Sequence, residues 1–310
     1  MILSITPNPA LDRTLVVAGY GEGGVFRPER QAMGAGGKGV NMARAAAALG
    51  ATVSAAGFLS GYTGKLFAEL TEREGLRSRW TWLAEGETRT CVILLDPATR
   101  RMTVVNEYGP AAGADNWRDL QADALDEANG ASAICLCGSL PTGSPIGSYE
   151  TLIAALRDTG KPLWVDTSGA ALTAAMQAGV NLKISHDEAA EALGTAITTA
   201  AEAAAAAEEL SRRTGGGKAI ITMGARGAVG HDTRGLWQVT PAPIEAVSAL
   251  GSGDSFLAGL MAAFERGDSM ADALVQAAAA GTANALSIGA GQFSDDEFAR
   301  AAAQTHVQRL

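Results

Sequence analysis

Short apolar runs alternate along this chain with stretches in which apolar residues recur every three or four positions. MILSIT (1–6), ATVSAAGF (51–58), ASAICLC (131–137), KPLWVD (161–166), VNLKIS (180–185) and KAIITM (218–223) are too uniformly apolar to alternate between core and solvent, so they read as strands covered on both faces. Segments 39–49, 63–74, 115–128, 147–159, 187–193 and 198–213 carry the helical period, and the C-terminal third continues it over 253–266, 270–287 and 294–305. AEAAAAAEEL (201–210) is low in complexity, but its acids and helix propensity suit an exposed helix. Strand–helix alternation of this kind predicts right-handed crossovers and a parallel sheet with helices on both faces.

Two regions break the rhythm. Residues 13–32 open with strand-like RTLVVAG and turn polar, and 87–107 place two extended runs around a D-P-A-T turn. Both read as antiparallel hairpin material. Together they predict a small second sheet near the strand ends where open α/β sheets bind ligands. TCVILL is apolar enough that one face of that sheet needs cover, from the core or from a second subunit.

Composition narrows the classes. The 310 residues allow one large domain or two smaller ones, and the net charge of −9 (24 basic against 33 acidic) argues against a basic nucleic-acid face. An anionic substrate would therefore need a local cationic pocket working against the global field. Three cysteines, Cys91, Cys135 and Cys137, form no C-x-x-C pair, which suggests reduced intracellular thiols. No basic leader and no membrane-length apolar run are visible, so a soluble cytoplasmic protein without membrane partners is expected. His186, His231 and His306 lack metal-ligand spacing, and Ser255 has no G-x-S-x-G frame.

The stretch GAGGKGVN (34–41) matches G-x-G-x-x-G and resembles the tail of a P-loop, yet it fails both tests. FRPERQA before it is polar and contains Pro28, so no buried strand leads in; no carboxylate follows until Glu69; and Ala32 and Gly39 stand where a P-loop needs glycine and Ser/Thr. What remains is a glycine turn opening a helix, with Lys38 at its mouth: an anion site or a plain turn. A second such turn, Gly251-Ser252-Gly253-Asp254, precedes FLAGLMAAF. Its amides suit a phosphoryl group with developing charge, and Asp254 could accept a proton from an attacking hydroxyl or simply cap the helix.

With both turns in place, TPNPALD (6–12), GAGGKGVN (34–41), GETRT (86–90), CGSLPTG (137–143), DTSG (166–169), TMGARG (222–227) and GSGDS (251–255) stand in an order that resembles the ribokinase-like sugar kinases of the phosphofructokinase-B family. The resemblance covers nearly the whole chain and is nearest the branch acting on sugar phosphates, such as 1-phosphofructokinase and tagatose-6-phosphate kinase. It implies a doubly wound, Rossmann-like, mainly parallel α/β core (1–12, 33–86 and 108–310) and a β-sheet lid (13–32 and 87–107), often shared in a homodimer. It implies Asp254 as base, with the amides of Gly251, Ser252 and Gly253 as anion hole. Asp12, Gly37, Lys38, Asn41 and Ser139 would hold the sugar phosphate, with Arg89 and Arg27 on its phosphate. Lys183, Thr222, Gly224, Gly227 and Asn284 would serve ATP, and Glu188 would touch Mg2+ indirectly.

One departure stands out: the family's K-P-N-x-x-E is KISHDE (183–188) here, with Ser185 for the asparagine. The favoured activity is ATP-dependent phosphorylation of fructose 1-phosphate to fructose 1,6-bisphosphate. The alternatives are the same chemistry on tagatose 6-phosphate or fructose 6-phosphate, a catalytically silent sugar-phosphate sensor, and, weakest, a dinucleotide oxidoreductase.

Overall fold

The computed structural model describes residues 1–99 and 101–310. Its strands are β1 (Ile2–Thr6), β2 (Ala10–Val16), β3 (Arg30–Gly36), β4 (Val53–Ser60), β5 (Arg77–Leu83), β6 (Arg89–Asp96), β7 (Arg101–Asn106), β8 (Ala133–Cys137), β9 (Leu163–Asp166), β10 (Asn181–Ser185), β11 (Ala219–Thr222), β12 (Ala228–Asp232), β13 (Gly235–Thr240) and β14 (His306–Arg309). The helices are α1 (Lys38–Ala48), α2 (Gly61–Arg73), α3 (Ala114–Ala128), α4 (Ile146–Arg157), α5 (Gly169–Gln177), α6 (His186–Leu193), α7 (Ala200–Arg213), α8 (Ser252–Arg266), α9 (Met270–Asn284) and α10 (Asp295–Ala303).

All six apolar runs become strands of one ten-stranded sheet, ordered β14-β13-β12-β11-β10-β9-β8-β1-β4-β5. From β11 through β5 the pairing is parallel, as the helical crossovers require. Helices α3, α4, α5 and α7 cover one face, where Trp117 meets Phe58 and Tyr149 edge-on at centroid distances of 5.4 and 5.9 Å. Helices α1, α2, α8 and α9 cover the other face.

The structure departs from the sequence expectation at the sheet's edges. The strands β12, β13 and β14 add an antiparallel edge, and β5 (RSRWTWL) closes the opposite one. The outer strands β5, β13 and β14 mix polar and apolar residues because only part of each is covered, and β12 (AVGHD), though mostly buried, is short and polar at its end, so none shows the run that marks the centre. Helix α5 was also unpredicted: GAALTAAMQ buries five of its residues, and its exposed face carries only Thr173 and Gln177 as polar residues, too few to mark a period. Helix α9 stops at Asn284 rather than 287, where the side chain of Asn284 takes up the neighbouring turns.

Two hairpins form the second sheet, ordered β3-β2-β6-β7. Strands β2 and β3 pair antiparallel, β6 and β7 pair antiparallel, and β2 joins β6 in parallel. Asp96 closes the turn after β6, its two oxygens accepting from the Ala98 N–H (3.0 Å) and the Thr99 hydroxyl (2.9 Å). The strands extend inward past 13 and 32: β2 starts at Ala10 and β3 runs to Gly36, so Asp12 belongs to this sheet, paired with Gly34 and Cys91.

Candidate active site

The carboxyl ends of β9 and β10 face the N-termini of α1 and α8, the place where an open α/β sheet offers donors to a ligand. Gly251 caps α8 in the left-handed region at φ 75°, and a β-carbon there would lie 2.5 Å from that of Ala290, so only glycine permits the turn. The first-turn amides of a helix have no intrahelical acceptor. The Ser252 N–H reaches Ala249 O at 3.2 Å, which leaves those of Gly253 and Asp254 as free-facing donors.

Asp254 is the third residue of α8 and 9 % exposed. Its Oδ2 accepts from Asn41 Nδ2 of α1 at 2.8 Å, which ties the two helix starts together. Burial raises its pKa to about 6; the Asp166 charge pushes the same way, while Lys183, the Asn41 hydrogen bond and Lys38 pull down. A carboxylate in that state is ionised at neutral pH and basic enough to accept a proton.

Behind Asp254, fully buried Asp166 at the end of β9 forms a charge hub. Its Oδ1 pairs with Lys38 Nζ and its Oδ2 with Lys183 Nζ, both at 2.7 Å. Burial opposes ionisation, but the two ammonium groups outweigh it and hold the carboxyl below the usual range. Lys38 also reaches Glu188 Oε1 at 2.9 Å; its two carboxylate partners raise its pKa despite burial. Lys183 Nζ lies 3.0 Å from where a β-carbon on Gly253 would sit, so its charge lies directly against the α8 turn. The two lysines are balanced by Asp166, Glu188 and Asp254, so what the site offers an anion is the pair of free amides at Gly253 and Asp254 with Lys183 close beneath them, not an excess of positive side chains.

Beside this site a cavity of about 520 Å³ opens between the small sheet and the core, with Asp12, Arg30, Asn41, Arg44 and Gln292 in its wall. Gly36 makes room for Asp12: a β-carbon there would come within 2.0 Å of its carboxylate. Burial raises Asp12 to about 7, Arg89 and Arg44 lowering it and the Asp254 charge raising it.

The structure thus gathers Asp12, Asn41 and Asp254 with the turn 251–254, and it places Lys38, Lys183 and Glu188 around Asp166. Lys38 faces the carboxylates rather than the cavity, because two anions compete for it. Gly37 is the residue at which α1 begins, at φ 98°. Arg89 spends Nε and Nη2 on Asn8 O at 3.2 and 3.1 Å; Asn8 in turn donates to Ser139 Oγ at 3.3 Å, so Arg89 and Ser139 meet through Asn8. Arg27 lies exposed in the loop before β3, outside the cavity wall, where Arg30 stands instead.

Thr222 ends β11, its hydroxyl on Ile184 O at 3.3 Å, and Gly224 and Gly227 bracket the tight turn that follows. Asn284 is fully buried, and its amide is committed to Leu250 O (2.7 Å), Ser252 Oγ (3.3 Å) and the Gly291 N–H (2.7 Å). It braces the α8 turn from behind and presents no free group to a nucleotide.

Ser185 caps α6: it accepts from the Glu188 N–H at 3.2 Å while its own N–H donates to Glu188 Oε2 at 2.7 Å. The departure from the family motif therefore preserves the helix start and fixes Glu188. Among the described residues no three or more His, Cys, Asp or Glu side chains gather as a metal site. The nearby carboxylates, Asp166 and Glu188, are both engaged by Lys38. Each is therefore paired with a lysine rather than presented as an open cation ligand.

Asp166, Asn8 and Arg44 were not singled out as site residues. For Asp166 a signal existed: a carboxylate ending an apolar strand, LWVD, at the side of the sheet where ligands bind.

A family model described as pfkB family carbohydrate kinase matches residues 8–297. The 1-phosphofructokinase of Rhodobacter capsulatus is 35% identical over 294 residues, spanning 93% of this chain and 90% of that protein. The 1-phosphofructokinase of Haloferax volcanii is 33% identical over 276 residues, spanning 88% and 87%. Among solved structures, phosphofructokinase-2 from Escherichia coli in complex with substrates and products superposes with a TM-score of 0.90 at 27% identity, covering 97% of this chain and 98% of that one.

Proposed function

The chain belongs to the pfkB family of carbohydrate kinases, and from that membership we propose that it transfers the terminal phosphoryl group of ATP to fructose 1-phosphate, giving fructose 1,6-bisphosphate. The observation that carries this reading is Asp254, held by Asn41 at 2.8 Å at the mouth of the α8 anion turn.

The free primary hydroxyl of the sugar donates to Asp254 and attacks the γ-phosphorus in line, while ADP leaves from the opposite side. Asp254 takes the proton, and the Gly253 and Asp254 amides with Lys183 stabilise the oxygens of the transferred group. Magnesium bound with ATP would supply positive charge to the phosphates, and Glu188, held by Lys38 and by the α6 cap, is the carboxylate that would serve it indirectly. Asp12 orients the sugar hydroxyls, and the turn at 224–227 receives the nucleotide. A coupled ADP-release assay over fructose 1-phosphate, fructose 6-phosphate, tagatose 6-phosphate, fructose and ribose tests the substrate. Highest kcat/KM with fructose 1-phosphate supports the reading. Preference for either 6-phosphate moves the acceptor assignment, and no ADP release with any sugar favours the silent sensor.

Arg89 is the phosphate clamp of this proposal because its charge already reaches Asp12, and its fork, on Asn8 O in this structure, would exchange those bonds for the phosphate. Arg89→Met should raise KM for the phosphorylated sugar by roughly 10- to 100-fold, the loss of one charge-assisted contact of about 1.5–3 kcal/mol, with a much smaller change for fructose. Equal effects on both would remove Arg89 from that role.

The small sheet is proposed to pair with its counterpart in a homodimer. Strand β7 is exposed along its whole length, with Val105 57 % and Met102 38 % exposed, and Phe26 and Met33 add to the apolar surface. Val105→Asp should shift the protein from dimer to monomer in light scattering. A parent chain that is monomeric at micromolar concentration would remove this interface. No helix among the described residues is long and apolar enough to cross a membrane.

A further inference from the structure

We infer that Arg44 is a positioning residue for phosphoryl transfer: it fixes the carboxamide of Asn41, and through it the carboxylate of Asp254. The inference rests on the proposed role of Asp254 as base.

Arg44 lies on α1 one turn after Asn41, so both side chains share a helix face. Its Nη1 donates to Asn41 Oδ1 at 3.1 Å and to Ala290 O at 3.0 Å. Nη2 donates to Ala35 O, and Nε and Nη2 grip the two oxygens of Glu74 at 2.8 and 3.1 Å. Its side chain is only 12 % exposed, so the fork is held from three sides.

A guanidinium can only donate, so the Asn41 oxygen must face it; a carboxylate can only accept, so the Asn41 nitrogen must face Asp254. The two neighbours select the same amide orientation. The final torsion of an asparagine is broad, and one partner alone leaves the amide plane free to swing. With Arg44 present the plane is held at both ends, Asp254 Oδ2 is pinned, and Oδ1 is left for the acceptor hydroxyl. Arg44 also ties the chain before Gly36 to the loop at Ala290, so a purely structural brace is the competing role.

A double-mutant cycle separates the two. With the sugar phosphate that turns over best, Arg44→Met should lower kcat by about tenfold, within the penalty of an ångström-scale misplacement, and by more than it raises KM. In an Asn41→Ala background the same substitution should change kcat less than twofold, because the amide through which it acts is gone. An equal kcat loss in both backgrounds, or none in the parent, overturns the inference. Should Arg44→Met fail to fold, Arg44→Lys takes its place under the same criterion, since the three donors of one ammonium cannot replace the five contacts of the guanidinium fork. Asp254→Asn is measured alongside. If it is inactive while the cycle is additive, only the Arg44 role falls; if it turns over normally, the base assignment falls first.

Discussion

Asp254→Asn is expected to lower kcat by roughly a thousandfold, within the usual worth of general-base catalysis, while the protein remains folded. The asparagine is nearly isosteric and can still bond Asn41, so the anion turn survives and only the proton acceptor is lost. In the parent, the base must be ionised, so kcat/KM should rise with pH through about 6 and lose activity below it. That acid limb should shrink in the residual rate of the variant to what Asp12, raised to about 7, contributes. Stability should move the other way. The folded pKa of Asp254 lies above its unfolded value, so the folded state prefers the protonated form and loses stability as pH rises from about 4 through about 6. Removing the charge should therefore raise the melting temperature at pH 8, by on the order of 1 kcal/mol in stability. Near-parental turnover, or a lowered melting temperature without loss of turnover, would contradict the assignment.

Asp166→Asn is expected to cost about 3 kcal/mol, a fall of roughly 4–6 °C in melting temperature for a chain of this length, because it leaves two ammonium groups without their shared counter-charge. Lys183 is 4 % exposed and cannot recover its hydration without moving, while Lys38 retains Glu188. The folded pKa of Asp166 is depressed, so its contribution is present above the ordinary carboxylate range and is lost as pH falls through the folded value. The gap between variant and parent in thermal scans should accordingly be full at pH 7 and narrow in strong acid. An unchanged melting temperature at pH 7 would show that neither lysine depends on Asp166.

The central sheet was legible because its strands are buried on both faces and appear as unbroken apolar runs, and the helices because burial on one side imposes a period. The outer strands β5, β13 and β14, the short β12 and the helix α5 were not, since mixed residues, short length or an exposed face with only two polar residues removes those two signals. Asp254, Asn41, Asp12 and the lysines were named from motifs. Their neighbours were less visible: Arg44 reads as an ordinary surface cation of a helix, and Asp166 as the end of a strand. Their importance comes from Asn41 and Glu74 in one case, and from Lys38 and Lys183, far away along the chain, in the other.

By itself the sequence determined the α/β architecture, the two glycine turns and the order of motifs that marks a carbohydrate kinase, because all three are written in local pattern. The tertiary structure alone decided which charges meet. It turned Lys38 toward Asp166 and Glu188, buried Asn284 behind the α8 turn, put Arg30 rather than Arg27 at the cavity and linked Arg44 to Asp254. Electrostatic roles depend on distance and burial in space, and neither quantity is encoded in spacing along the chain.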